Sequence, residues 1–463
     1  MGTEAVKQPT GRKKRLRPAH IIVLGFLAVI LVGSALLCLP VAAKSRRATN
    51  YLSALFTATS AVCVTGLTVV DIGTHFSAFG QVVLLLLIQI GGLGFMSLTT
   101  MFMLLLRRKI TLKDRLLMKE ALGQEDNRGV VRLARNMVLV TFGIEGAGFL
   151  LLLYPFVSHN GGIGVWQAFF CAVSAFCNAG FDTLSVTGAE FASLTGYASN
   201  VVVNLSVSLL ILLGGLGFTV LTDIGRNKGN FKKLSLHSKV VLLATGSLIA
   251  TGWLFFLLSE FTNPATFGAL GPGDRVMAAL FQSITTRTAG FATVSQGDLR
   301  PASKMATMIL MFIGASPGST GGGIKTTTLA VLLVASVAGV GNRKSVTLGK
   351  KHLPGVRIRK ALSIFFTGII LVFFFTLALL MTERGKVPSE LLTFENVLYE
   401  TFSAYGTAGL TCGITPYLSV AGRLLIMLLM FLGRVGTVTV GLLFLSDDSG
   451  PSIRYPDADI MIG

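Results

Sequence analysis

Four short segments carry the chemistry of this sequence: Val64-Thr65-Gly66-Leu67, Asn178-Ala179-Gly180-Phe181, Thr288-Ala289-Gly290-Phe291 and Thr407-Ala408-Gly409-Leu410. None contains an acid, a base or a nucleophile, so what they offer is backbone. Glycine accepts left-handed backbone angles that a side chain forbids, and four such turns around one axis would aim carbonyl oxygens inward. A ring of carbonyls replaces the hydration shell of a monovalent cation. The four glycines lie 114, 110 and 119 residues apart, so the chain reads as four copies of one unit.

A second glycine cluster follows each turn, beginning 25, 34, 24 and 24 residues after it: Gly91-Gly92-Leu93-Gly94, Gly214-Gly215-Leu216-Gly217, Gly314-Ala315-Ser316-Pro317-Gly318 and Gly433-Arg434-Val435-Gly436. The rows at 91–94 and 214–217 read as places where helices approach closely. The third cluster continues through Ser319, Thr320, Gly321, Gly322, Gly323 and Ile324 to Lys325. Pro317 and its flanking glycines cannot continue a helix. Counted from Ala302, the break falls after roughly 18 Å of helix, at mid-membrane and beneath the expected ring. The residues Gly314, Ser316, Pro317, Gly318, Gly321, Gly322 and Gly323 are therefore expected to form a gate loop across the ion's path.

Arg434 lies roughly 21 Å into the last apolar run, where a charge is costly and normally functional or paired. It is expected to donate to the loop carbonyls and add a positive barrier; the alternative is a plain kink with Arg434 paired to an acid such as Glu145. Lys325 either holds the loop or snorkels to the surface. Residues 318–325 do not form a phosphate-binding loop, because Ile324 breaks G-x-x-x-x-G-K-[ST] and no strand precedes it.

The elements that must position these residues follow from composition. The chain has 463 residues, 52% hydrophobic and only 13% charged, with a mean hydropathy of +0.72, which excludes a soluble protein. Apolar runs near 21–42, 78–106, 136–157, 198–223, 240–260, 303–340, 361–382 and 420–446 can each cross ~30 Å of hydrocarbon. Shorter amphipathic stretches near 51–63, 166–177, 274–286 and 395–405 read as re-entrant half-helices, each ending at a glycine turn. Their partly negative C-terminal ends would face the centre and favour a cation; Asn50, Asp274 and Thr393 stand where N-caps are expected. A loop inside the membrane is tolerated only where it is buried in protein or lines a watery path.

The expected fold is thus an all-α polytopic membrane protein with eight spanning helices, built as four helix–pore loop–helix repeats in one chain around a central pore. The boundaries read as a basic tail 1–20, repeats at 21–106, 136–225, 240–342 and 361–446, with the gate loop at 314–325 in the third, and a C-tail 447–463. The net charge of +19 comes from 40 Lys and Arg against 21 Asp and Glu. Of those basic residues, 28 fall in the N-tail, the loops 107–135, 226–239 and 343–360, and the C-tail, so both ends are expected in the cytoplasm. These faces would also meet anionic lipids. The first apolar run is too long for a signal-peptide core. Cys38, Cys63, Cys171, Cys177 and Cys412 form no C-x-x-C pair and read as buried small residues.

Two other function classes fit less well. A secondary transporter with broken helices would hold a small anionic solute against Arg434 or Lys325, but that architecture shows two inverted repeats rather than four parallel ones. An enzyme would need a metal or acid–base cluster, and the five histidines, His20, His75, His159, His237 and His352, are scattered. Neither catalysis, an organic cofactor nor nucleic-acid binding is expected.

Taken together, the four turns, the Gly-Ser-Thr-Gly-Gly-Gly segment and Arg434 resemble the Ktr/Trk/HKT superfamily of potassium transporters, whose members look like fourfold single-chain relatives of potassium channels. The resemblance covers about residues 20–446. TrkH-type members carry an extra pair of N-terminal helices, whereas only about 20 residues precede the first apolar run here, so the KtrB-type branch is the nearer match. The resemblance implies potassium uptake across a bacterial plasma membrane through a filter formed by Val64, Thr65, Gly66, Asn178, Ala179, Gly180, Thr288, Ala289, Gly290, Thr407, Ala408 and Gly409. It implies an intramembrane gate at about 314–325 with Arg434 beneath, a homodimer resting on a cytoplasmic nucleotide-binding RCK ring of KtrA type, and activity that often depends on sodium. The filter keeps one glycine per repeat where dedicated channels carry T-V-G-Y-G. A shorter ring has fewer successive ion sites, so conduction follows more directly than sharp discrimination against sodium.

Overall fold

The computed structural model describes residues 18–94, 130–186, 189–342, 345–349 and 351–436. The basic tail, the ends of the second and last apolar runs, most of the loop 107–135, parts of the loop 343–360 and the C-tail lie outside the described residues. Four helix–short helix–helix units follow in order. The first consists of Pro18–Cys38, Tyr51–Val62 and Ala78–Leu93. The second has Val130–Asn160, Gly164–Phe176 and Val201–Leu216, and the third Leu236–Glu260, Pro272–Thr285 and the separated pair Pro301–Phe312 and Thr326–Val340. Gly355–Thr382, Phe394–Gly406 and Val420–Val435 make the fourth.

Each long first helix packs on its own short helix, and the last helix of each unit also packs on the short helix of the next. The last helix of the fourth unit packs on the short helix of the first. The short helices are consequently the most enclosed elements: from Asn396 to Gly406 every residue except Phe402 is buried. The long helices turn apolar side chains outward instead, with Leu258 73% and Leu150 67% exposed. A helix with that outer face is at home in hydrocarbon.

Among the described residues, four segments are long and apolar enough to cross a membrane: His20–Cys38, Ala134–Phe176, Leu236–Glu260 and Gly355–Thr382. A fifth forms if Val201–Leu216 and Phe218–Arg226 are joined across their 97° bend. The protein is an all-helical multi-pass membrane protein; among the described residues a small hairpin also occurs, in which Thr347–Leu348 pairs antiparallel with Lys351–His352. That hairpin lies in a stretch that reads from sequence only as a basic loop.

Local sequence explains the short helices. The Asn50 side chain accepts from the Leu52 N–H at 3.0 Å, and Thr393 from the Asn396 N–H at 3.2 Å, as N-caps do. Asp274 is not a cap. The third short helix starts at Pro272 after Gly271, which places Asp274 in its first turn, because proline suits the first helical position. There its charge still complements the helix dipole.

Candidate functional site

Just beyond each short helix stands a left-handed residue that is not glycine: Val64, Asn178, Thr288 and Thr407 have φ of 56°, 57°, 68° and 51°. Two residues later come Gly66, Gly180, Gly290 and Gly409, with φ of 98°, 68°, 81° and 81°. Such angles are strained for an L-residue and cluster where structure over-determines them. In three units the same bond closes the turn: Thr65 N–H to Ser60 O, Ala179 N–H to Ser174 O and Ala408 N–H to Ser403 O, each 2.8 Å. The third unit has Ile284 at the serine position, and Ala289 N–H bonds Thr285 O at 3.0 Å instead. This recurring serine was legible in the sequence and was missed. The Ser60 hydroxyl also accepts from Gly66 N–H, and that of Ser174 from Phe181 N–H.

The four glycines meet one another in order. A Cβ placed on Gly66 would lie 2.6 Å from the Ala179 carbonyl oxygen, one on Gly180 2.8 Å from that of Ala289, and one on Gly290 2.9 Å from that of Ala408. A Cβ on Gly409 would collide with the Thr65 carbonyl oxygen, closing the succession. All twelve residues predicted for the turns are therefore brought to one place. Among the described residues no group of three His, Cys, Asp or Glu side chains could hold a metal; the cation ligands on offer are backbone oxygens.

Outside the glycines lies a cavity of about 470 Å³ lined by Gly66, Gly180, Gly290 and Gly409 together with Asp71, Asp182 and Gln296. The second unit's longer connection leans over it. Phe191 N–H donates to Asp71 at 3.0 Å, Ser185 donates to the same carboxylate, and Leu194 N–H donates to Ala292 O at 3.0 Å. The segment thus ties three units together on this side of the glycines, which explains the spacing of 34 rather than 24 or 25. Burial alone would raise the Asp71 carboxyl, but hydrogen bonds from Ser185, Phe191 and Thr74 hold it below the usual carboxylate range. Asp182 goes the other way: burial, with the nearby Asp71 charge, pushes it up to about 6 despite the bond from Leu184 N–H.

On the other side, the expected break is present. Pro301–Phe312 stops, residues 313–325 form an irregular loop, and Thr326–Val340 resumes. The loop is held by backbone bonds from Ser316 N–H to Gly215 O, Thr320 N–H to Gly214 O and Phe218 N–H to Gly318 O, of 3.0, 3.2 and 2.9 Å. The Thr326 hydroxyl donates to Ser316 at 3.1 Å. A Cβ on Gly217 would sit 2.6 Å from the Pro317 carbonyl oxygen, and one on Gly323 3.1 Å from Gly314 Cα. Gly321 and Gly322 lie directly against the hydroxyls of Thr288 and Thr407, neither of which has a hydrogen-bond partner among the described residues. The loop therefore abuts the third and fourth turns.

Three consecutive loop carbonyls accept from cations. Arg434 donates to Thr320 O and also to Gly91 O; Lys325 Nζ donates to Gly321 O at 2.7 Å and Gly322 O at 3.4 Å. Of the two roles open to Lys325, the loop-holding one is realised. Arg434 does not pair with Glu145, whose carboxylate takes the Gln89 amide at 3.0 Å instead. Arg287, a third cation in the apolar region, is buried, and its Nε has no partner among the described residues.

The glycine rows have two functions, of which sequence reasoning found one. As expected, Gly91 and Gly214 leave no room for a Cβ, lying against the carbonyls of Val62 and Phe176 in their own units, and Gly433, for which packing was not expected, lies against that of Tyr405 in the same way. The missed function belongs to Gly94, Gly217 and Gly436, which end their helices with φ of 77°, 91° and 90°. A glycine three residues after another at the same place in three units was the available signal.

The comparisons with known proteins agree with this geometry. The model of the family described as TrkH, cation transport protein, matches residues 17–454. The chain is 39% identical to Ktr system potassium uptake protein B of Bacillus subtilis over 97% of both chains. It is 38% identical to potassium/sodium uptake protein NtpJ of Enterococcus hirae, over 97% of this chain and 98% of that one. The crystal structure of the potassium transporter TrkH from Vibrio parahaemolyticus superposes with a TM-score of 0.74 at 19% identity, covering 94% of this chain and 86% of that one. With the family model matching nearly the whole chain and relatives covered almost end to end, the chain belongs to the TrkH family of cation transport proteins, a family of transporters and not of enzymes.

Proposed function

We propose that this protein takes up potassium across a bacterial plasma membrane through a central pore formed by its four helix–pore loop–helix repeats. The observation that carries the reading is the closed succession in which each turn glycine faces the carbonyl of the next unit, from Gly66 to Ala179 and finally from Gly409 to Thr65. A ring of backbone oxygens with no acidic side chain in it suits a large, weakly hydrated monovalent cation. The names of the relatives, one a potassium and one a potassium/sodium uptake protein, support the same substrate class.

In this reading residues 64–66, 178–180, 288–290 and 407–409 are the filter. The loop 314–325 is the gate, held across the inner end by Arg434 and Lys325. Both termini are cytoplasmic, as the distribution of Lys and Arg supports. The basic cytoplasmic segments then serve a homodimer docked on a nucleotide-binding RCK ring, with sodium as a further activating or transported ion. A carrier for an anionic solute is disfavoured, since Arg434 and Lys325 are engaged by loop carbonyls. Growth of a potassium-uptake-deficient bacterium on low potassium, with and without a co-expressed RCK subunit, tests the reading. Rescue by the wild type and none by Gly290→Ser is expected; equal rescue by both overturns it.

A further inference from the structure

A second polar cluster lies within the apolar part of the protein and is not used by the pore as described. Glu145, midway along Val130–Asn160, is 4% exposed, and both its oxygens accept from Gln89 Nε2 at 3.0 Å. Gln89 Oε1 in turn accepts from the Cys177 thiol at 3.2 Å, and that thiol lies 3.8 Å from Glu145 Oε1. Three buried polar groups thus satisfy one another across the first two units. Such a network fixes a single arrangement, because each member left alone would be an unpaired buried group. A carboxylate at this depth is costly enough that it points to function.

Its position gives the function. Cys177 caps the second short helix and immediately precedes Asn178, the left-handed residue of the second turn. Gln89 lies two residues before Gly91, whose carbonyl receives Arg434. Gly92 is pressed so closely on Cys177 that a Cβ there would be 2.7 Å from its sulfur. The cluster therefore touches one turn of the filter and the stretch of helix that anchors the gate arginine. The other units do not repeat it: Cys177 corresponds to Cys63, Arg287 and Gly406, and Gln89 to Leu212, Phe312 and Phe431. Elsewhere the long and short helices are joined without a carboxyl group, by Ser283 donating to Ile249 O in the third unit and by the Thr376–Thr401 hydroxyl pair in the fourth.

We propose that Glu145, acting through Gln89 and Cys177, is a positioning residue that sets the geometry of the second filter turn and so the discrimination between potassium and sodium. The inference rests on the pore reading above. Potassium uptake with sodium in competition, measured on purified full-length protein in liposomes, tests it. Glu145→Gln replaces the carboxyl group with an amide of the same shape, and is expected to lower the potassium-to-sodium ratio several-fold. The exchange Gln89→Glu with Glu145→Gln restores a donor opposite a carboxylate and should return the ratio towards the wild-type value. Cys177→Ala cuts the link to the turn without touching the carboxyl group and should shift the ratio in the same direction as Glu145→Gln. Variants that change thermal stability or maximal uptake but keep the wild-type ratio would make the cluster a structural brace and overturn the proposal. Should Glu145→Gln fail to fold, an unchanged ratio in Cys177→Ala overturns it alone. A wild-type chain with no preference for potassium refutes the pore reading itself, whereas a selective wild type with equally selective variants refutes only the role given to Glu145.

Discussion

At the four turns, every unit gives its neighbour the same thing: a carbonyl set against a glycine, reached through a left-handed residue two positions earlier. At the glycine rows of the last helices only three units agree. Gly91, Gly214 and Gly433 rest on their own short helices, and Gly94, Gly217 and Gly436 stop the helix at φ of 77°, 91° and 90°. The third unit replaces this arrangement with an irregular loop that the other units support through Gly214, Gly215 and Arg434. Under the proposed function the difference has a physical cause. A cation in a ring needs ligands from all sides, so no unit can deviate without leaving the ion partly unsolvated. A barrier across the same axis needs one obstruction, and one unit suffices to provide it.

The largest expected effect comes from breaking the symmetric level. Gly409→Ala puts a Cβ into the Thr65 carbonyl at φ 81°, at a cost of about 1–3 kcal/mol for the backbone alone. Potassium uptake should fall to background in cells that still express the protein at the membrane. Retained uptake would mean that the ring tolerates an unequal member.

Removing the support of the asymmetric level should do the opposite. Arg434→Ala loses charge-assisted bonds to Thr320 O and Gly91 O, each worth about 1.5–3 kcal/mol, and basal flux through a folded variant should rise by about tenfold. Unchanged or reduced flux would show that the loop does not limit conduction.

The helix-ending glycines divide the two levels further. Among the described residues a Cβ on Gly94 would meet nothing within 4 Å, while one on Gly217 would face the Pro317 carbonyl oxygen at 2.6 Å. Gly94→Ala therefore adds backbone strain alone, about 1–3 kcal/mol, and Gly217→Ala adds displacement of the loop. Thermal unfolding should show similar destabilisation for both, with altered flux only for Gly217→Ala. Equal flux changes would remove the link between Gly217 and the loop.

The smallest effect is expected at the outer mouth. Because the Asp182 carboxyl is pushed up to about 6, it takes a proton as external pH falls through that value, and the cavity loses a negative charge. Half-saturating potassium should rise by about threefold between pH 7 and pH 5 at low ionic strength. Asp182→Asn should abolish that dependence; a variant with the same pH profile would assign the titration elsewhere.

Much of both levels was legible in the residues. The turns declared themselves by repetition, the loop by Pro317 among glycines, and Arg434 by its distance along an apolar run. What escaped was information held between units. The second role of Gly94 and Gly217 depends on where a helix must stop, and the Glu145–Gln89–Cys177 cluster joins side chains 32 to 88 residues apart that share no motif. Asp274 falls inside the helix rather than at its cap because residue type alone says nothing of Pro272, which starts the helix earlier. The strap at 191–195 was visible only as an unexplained excess of spacing, since its partners, Asp71 and Ala292, belong to other units.

The central claim is that four unequal turns act as one selective ring. Its most direct test is the uptake of potassium against sodium by purified full-length protein in liposomes, with Gly66→Ser beside the wild type. A wild type that prefers potassium and a Gly66→Ser variant that loses both the preference and most of the uptake are predicted. A Gly66→Ser variant with undiminished uptake and the wild-type ratio would contradict the account.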